Sequence, residues 1–300
     1  MIYLSAGDIV PADARIIIAK DLFTILQLLP NEDPMRHSRK YHRIHRHRRR
    51  HVATWIMLWI LMLSTSFGLI SVFVLHFLGG TVTQNLSSLD WAGYIITSDF
   101  ANPKPVVTSV CGSWIVPEIT ASQQDAFSAT WVGIGGQSDK TLIQIGTEQD
   151  STDGQPVYFA WYEALPDYSI AISEMSISAG DKITASISLT DSASNMWLVS
   201  IEDESKGQRF EKTLGYESSR LSAEWIVERP TINNLVGNLA QFSSVTFTSL
   251  EATVNGVTAT VNNFPFSRVV MVNRQNKQLT SVSAFSTKTS VFSVTFIGSG

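Results

Sequence analysis

TLIQIGTE, residues 141–148, alternates. Successive side chains of an extended strand point to opposite faces. Leu142, Gln144, Gly146 and Glu148 therefore share one side, and Thr141, Ile143 and Ile145 the other. The isoleucines mark the core side, so Gln144 and Glu148 look outward. AEWIVE (223–228) reads the same way, with Glu224, Ile226 and Glu228 on one face and Trp225 and Val227 on the other. By this parity Trp225 belongs to the core. YFAWYE (158–163) groups Phe159, Trp161 and Glu163. Strands that carry Gln, Glu and aromatic side chains on one face would, on a curved sheet, line a groove for an extended polymer.

Similar runs continue on both sides of these strands. FSATWVGI (127–134), KITASISLT (182–190), MWLVSIED (196–203), SVTFTSLEATV (244–254) and SVFSVTFIG (290–298) are rich in β-branched and aromatic residues. GG, DG, PD, AGD and NG turn signals separate them, and no run of helical period intervenes. Short strands punctuated in this way predict an all-β fold, a two-sheet antiparallel β-sandwich of the concanavalin or lectin-like kind. It is expected to occupy residues 91–300 as one domain, with residues 80–90 as a linker.

The first part of the chain is different. Residues 52–79 hold a long apolar run free of Asp, Glu, Lys and Arg, preceded by the basic stretch RHSRKYHRIHRHRRRH (36–51). About 20 apolar residues cross a bilayer, and positive charge stays on the cytoplasmic side. These features predict one transmembrane signal-anchor helix at 52–79. Residues 1–51 would be cytoplasmic and poorly ordered, and the β domain extracellular, or secreted if the helix is cleaved. LSAGDIVPADARII (4–17) resembles a short actuator-domain segment of P-type ion pumps. The pump's DKTGT motif is absent, so no ATPase activity follows.

Composition narrows the chemistry. Residues 1–80 carry ten Lys/Arg against five Asp/Glu, whereas the remainder carries twelve against twenty-one. All six histidines lie before residue 81, and Cys111 is the only cysteine. Without an imidazole beyond His76, a Ser-His-Asp or Cys-His engine cannot be built in the β domain, nor can the usual zinc site. No metal, cofactor or nucleic-acid partner is expected, and the domain should be monomeric. A carboxylate-based hydrolase remains, as does a non-catalytic carbohydrate- or polymer-binding sandwich. A glycosidase would need two carboxylates about 5–9.5 Å apart. Glu224 and Glu228 on one strand would be about 13 Å apart.

WAGY (91–94), WIVP (114–117), WVGIGG (131–136), LIQIGT (142–147), AWYEALPDY (160–168), SISAGDKI (176–183), AEWIVERP (223–230) and LAQFSSVTFT (239–248) occur in that order. Together they resemble the glutamic peptidases, the eqolisin-type acid proteases of fungi. The resemblance implies an acid endopeptidase acting on polypeptides, with Gln144 and Glu228 as the catalytic pair. It implies substrate contacts at Trp131, Glu148, Trp161, Glu163 and Glu224, Glu224 also being the fallback for the catalytic carboxyl. In the implied mechanism an ionised Glu228 takes a proton from water, the Gln144 amide steadies the oxyanion, and Glu228 then protonates the leaving amine. The pair must face each other across a shared cleft with room for one water. Family members often carry Asp where this chain has Gly135 and Phe159, and the disulfides of the fungal proteins cannot form here.

Overall fold

The computed structural model describes Tyr3–Leu4, residues 82–232 and residues 235–298. The expected anchor at 52–79 and nearly all of the cytoplasmic segment lie outside these residues. Among the described residues no helix is long and apolar enough to cross a membrane.

The described chain is all β apart from one short 3₁₀ turn at Val261–Asn263. Two large sheets face each other. In spatial order the first runs Tyr3–Leu4, Val82–Ser88, Phe266–Met271, Trp91–Thr97, Ser222–Glu228, Ala129–Gly135, Leu142–Thr152, Gln155–Ala164 and Ile170–Ala171. The second runs Gln208–Gly215, Met196–Asp203, Lys182–Asp191, Val107–Ile115, Val245–Val254, Phe292–Phe296 and Thr280–Val282. Pairing is antiparallel, except that Val82–Ser88 lies parallel to Phe266–Met271 and to Tyr3–Leu4. Residues 82–88, expected to be part of a linker, form a strand instead. These residues lack the apolar alternation of the later strands, and neighbours distant in the chain supply their pairing.

The main core fills the space between the sheets. It holds Trp114, Trp197, Trp225, Phe247 and Phe292, all essentially without exposure. A buried indole N–H needs an acceptor. Trp225 Nε1 donates to the Cys111 carbonyl at 2.7 Å, and Trp114 Nε1 donates to Thr147 Oγ1 at 3.1 Å. Both bonds run from one sheet to the other and fix how the sheets are apposed. Thr147 continues into a buried polar chain, donating to Gln149 Oε1 at 3.2 Å, while Gln149 Nε2 donates to Thr130 Oγ1 at 2.9 Å. A satisfied buried network sets register more sharply than apolar contact does, and this one sits in the strands that carry the site.

A second apolar cluster lies on the other face of the first sheet. It comprises Trp91, Ile95, Ala129, Trp131, Leu142, Trp161, Ile226 and Val269. The face expected to be wet is therefore floored by tryptophans.

Candidate active site

Strand register arranges the outer face of the first sheet in rows. One row reads Ile95, Glu224, Gly133, Gln144, Glu163. The next reads Gly93, Ile226, Trp131, Gly146, Trp161. The third reads Trp91, Glu228, Ala129, Glu148, Phe159. All seven expected site residues thus share one face. Gln144 and Glu228 stand two strands and four residues apart, which on a flat sheet is about 10 Å across by about 13 Å along.

The indole of Trp131 occupies the row between them. A Cβ on Gly133, the cross-strand partner of Gln144, would come within 2.7 Å of its Cζ3. Its opposite edge reaches Glu228, to whose Oε2 the Nε1–H donates at 2.7 Å. Glycine at 133 is what lets the ring lie there. Trp91 packs edge-on against the same ring at 5.1 Å between centroids.

Gln144 is only 4% exposed. Its Nε2 donates to Glu163 Oε2 at 2.5 Å, and its Oε1 is buried without a partner. Glu163 in turn lies near enough to Glu228 for its charge to raise that carboxyl's proton affinity. Gln144, Glu163, Trp131 and Glu228 therefore form one connected group.

Burial governs the ionisation of this group. Desolvation first, then the charge of Asp90, pushes Glu228 up to about 8, against the lowering effect of the Trp131 hydrogen bond. Burial raises Glu163 too, with the Gln144 bond opposing. Glu148 is raised well above the usual carboxylate range by burial, then by Asp150 and Glu228. It hydrogen-bonds Asp150, which burial lifts to about 7 although the Ser128 N–H donates to it at 3.2 Å. The implied mechanism started from an ordinary, ionised glutamate. Glu228, half-buried like Glu148 and Glu163, has its proton affinity raised in this way and would keep its proton through the acid range.

Glu224 departs from its expected place in the groove. It is 0% exposed, no well-formed hydrogen bond reaches its carboxyl, and burial holds its pKa well above the usual carboxylate range although the nearby Ser222 hydroxyl opposes this. Its row neighbours are Ile95 and Gly133, and the Trp131 ring lies over the latter. Solvent does not reach it, so in this structure it offers no surface to a substrate. Trp161 is nearly buried, with Nε1 unpartnered. Glu148 and Glu163 are half-buried.

The Peptidase A4 family matches residues 89–294, which is this sandwich without the strands Tyr3–Leu4 and Val82–Ser88 and without the end of Phe292–Phe296. The chain belongs to the Peptidase A4 family. Aspergillopepsin-2 of Aspergillus niger is 32% identical over 205 residues, which is 60% of this chain and 70% of that protein. Scytalidopepsin B of Scytalidium lignicola is 31% identical over 207 residues, 65% of this chain and 74% of that one. The crystal structure of scytalido-glutamic peptidase with a transition state analog inhibitor superposes with a TM-score of 0.58 at 27% identity, covering 69% of this chain and 98% of that one. Aspergilloglutamic peptidase from Aspergillus niger gives 0.50 at 31% identity, covering 57% and 99%. These relationships make the chain a glutamic-type endopeptidase with an all-β sandwich.

At one of the two positions where the resemblance led to an expectation of aspartate, the backbone itself resists a side chain. Gly135 adopts φ +95°, and a Cβ there would stand 2.3 Å from the Thr141 carbonyl oxygen. An aspartate fits this backbone only if the turn moves. Phe159 ends the row of Glu148 and Glu228, packed against the tryptophan cluster. Asp90, Asp150 and Arg229 border the site without having been expected there. Asp150 could have been found, since alternation puts it on the face of Glu148. Asp90 and Arg229 flank strand ends, where alternation gives no direction. The Arg229 backbone N–H donates to the Asp90 carbonyl at 2.7 Å, and its guanidinium donates to the Leu89 carbonyl at 2.5 Å.

Proposed function

We propose that this peptidase cleaves polypeptides in acid, with Glu228 moving the protons and Gln144 steadying the developing oxyanion. The observation that carries the proposal is the single face on which Gln144, Glu163, Trp131 and Glu228 are joined by contacts and charge. An extended peptide laid across the tryptophan floor would bring its carbonyl between the two.

The raised proton affinity of Glu228 decides the order of steps. Its Oε2 accepts the Trp131 N–H, which favours Oε1 as the oxygen that carries the proton. The protonated carboxyl and the Gln144 amide then polarise the scissile carbonyl together. Water adds to the carbon, giving a proton to Oε2 while Oε1 gives its own to the carbonyl oxygen. The product is a neutral gem-diol, and Glu228 is a carboxylic acid again. Glu228 next protonates the amide nitrogen, the C–N bond breaks, and a diol hydroxyl returns its proton to the carboxylate. An acid and an amine leave, and the enzyme is unchanged. A fixed donor at the oxyanion is typically worth roughly 10²–10³ in rate.

Casein digestion from pH 2 to pH 9 tests this reading. Cleavage is expected to be strongest in acid and to fall as pH approaches 8, where Glu228 loses its proton. Glu228→Gln and Gln144→Ala should each lower kcat at least about 10²-fold. A rate that climbs to a plateau above pH 8 would mean that the carboxylate starts the cycle as a base. Full activity in Glu228→Gln would end the assignment.

We also propose that residues 52–79 anchor the enzyme in a membrane with the sandwich outside, supported by the apolar run and its basic flank. Release of the chain from membranes by alkaline carbonate would refute this.

A further inference from the structure

Gln144 makes a bond that an oxyanion donor does not itself require. Its Nε2 donates to Glu163 Oε2 at 2.5 Å, and the two are direct cross-strand partners. Its Oε1 meanwhile is buried with no donor to meet it. A glutamine end group can turn over, exchanging its oxygen for its NH₂. Alone, a nearly buried amide has no reason to leave its oxygen where nothing donates to it. The acceptor at Glu163 explains the orientation. Glu163 Oε2 is the accepting atom here, and an accepting oxygen is faced by the NH₂ and not by the amide oxygen.

Glu163 is itself held. The Ser169 backbone N–H donates to its carboxyl, from the turn that leads to the short edge strand pairing Ala171 with Trp161 and Ile170 with Tyr162. One amide hydrogen of Gln144 is then engaged by Glu163, and the other is directed elsewhere.

We propose that Glu163 is a positioning residue that fixes the turn of the Gln144 amide, so that the second N–H is presented to the oxyanion. The inference rests on Gln144 being that donor. It also changes what is asked of Glu163, which the sequence reading placed among the substrate contacts.

Glutamine at 163 offers an oxygen and an NH₂, so either turn of Gln144 finds a partner. Glu163→Gln in the full chain is expected to lower kcat on a peptide substrate about 10–100-fold, the range a misplaced catalytic group gives, with KM changed less than about twofold. In a Gln144→Ala background the same substitution should change nothing further, as residues acting as one unit require. Glu163→Asp, one methylene shorter, serves the same cycle if the first variant fails to fold. In the ¹H–¹⁵N spectrum one side-chain amide proton of Gln144 should lie far downfield in the native protein and move back in Glu163→Gln. A higher KM with native kcat, or a loss that multiplies with Gln144→Ala, overturns the proposal, because Glu163 would then act on substrate directly. Native kcat in Gln144→Ala would remove the catalytic assignment instead, leaving the amide contact to be read from the spectrum.

Discussion

Trp131 links the floor of the groove to its chemistry. Its ring fills the row between Gln144 and Glu228, and its N–H donates to the carboxyl. That bond favours the ionised form of Glu228 and so opposes burial. Trp131→Phe keeps most of the ring and removes the donor. The pH at which kcat/KM falls should therefore move up from its native position, with a loss of up to about tenfold at the optimum, where the bond joins two neutral groups. A fall at unchanged pH would show that the N–H does not act on Glu228. From the sequence alone Trp131 was legible as an aromatic residue near the site. Its partnership with Glu228 was not, because the two are 97 positions apart and meet only through register. The raised proton affinity of Glu228 was likewise hidden. Alternation tells which way a carboxyl points and nothing of how deeply its neighbours cover it.

The strands around the site read well from sequence because each has a different residue class on each face. The rows containing Gln144 and Glu228 follow from two alternating runs, LIQIGT and AEWIVE, once their pairing is known. Trp225 falls in the core as parity required. Glu224 shows where parity stops. It shares the face of Glu228, yet Ile95 and the indole over Gly133 leave it without exposure. Val82–Ser88 does not read as a strand because it carries no apolar alternation and its pairing comes from segments far away in the chain. The Ala129–Gly135 strand allows a sharp test. A methyl on Gly133 would meet Trp131 Cζ3 at 2.7 Å and Leu142 Cδ1 at 3.1 Å. Both are side-chain atoms, so the ring must tilt, and its N–H must leave Glu228. Gly133→Ala should overpack the cluster by about 1–3 kcal/mol. At roughly 2–4 °C per kcal/mol for a domain of this size, melting should drop by about 2–12 °C. Activity should fall as in Trp131→Phe, with the pH limb displaced in the same direction. A variant that melts lower but retains a native pH profile would show that the ring absorbs the methyl without releasing the carboxyl.

At the scale of the molecule, the sandwich contains no histidine, so buried carboxyls are left to set its response between pH 5 and 8. Glu148, Asp150, Glu163, Glu224 and Glu228 all bind protons more tightly than in an unfolded chain, burial being the largest cause in each. The folded state therefore holds more protons than the unfolded one between the two sets of values. Stability from these groups is fully present below about pH 4, where unfolded carboxyls are also protonated. It is lost as pH rises through about 7 for Asp150 and about 8 for Glu228. Asp191 and Glu204 have the opposite sign, their hydrogen bonds with Ser194 and Lys182 lowering their values. Both are on the solvated surface, where such pairs contribute little, so the buried set should prevail. The midpoint of urea unfolding followed by far-ultraviolet circular dichroism is expected to be higher at pH 4 than at pH 8. Glu224→Gln separates the causes. It is neutral at every pH, has nearly the same shape, and touches no proposed catalytic atom. It should flatten the decline and leave the protein more stable than native at pH 8, with little change at pH 4. A native-like slope in this variant would mean that Glu224 ionises without penalty, contrary to its complete burial. A midpoint that rises from pH 4 to pH 8 would mean that surface charge, rather than the buried carboxyls, governs how this enzyme tolerates acid.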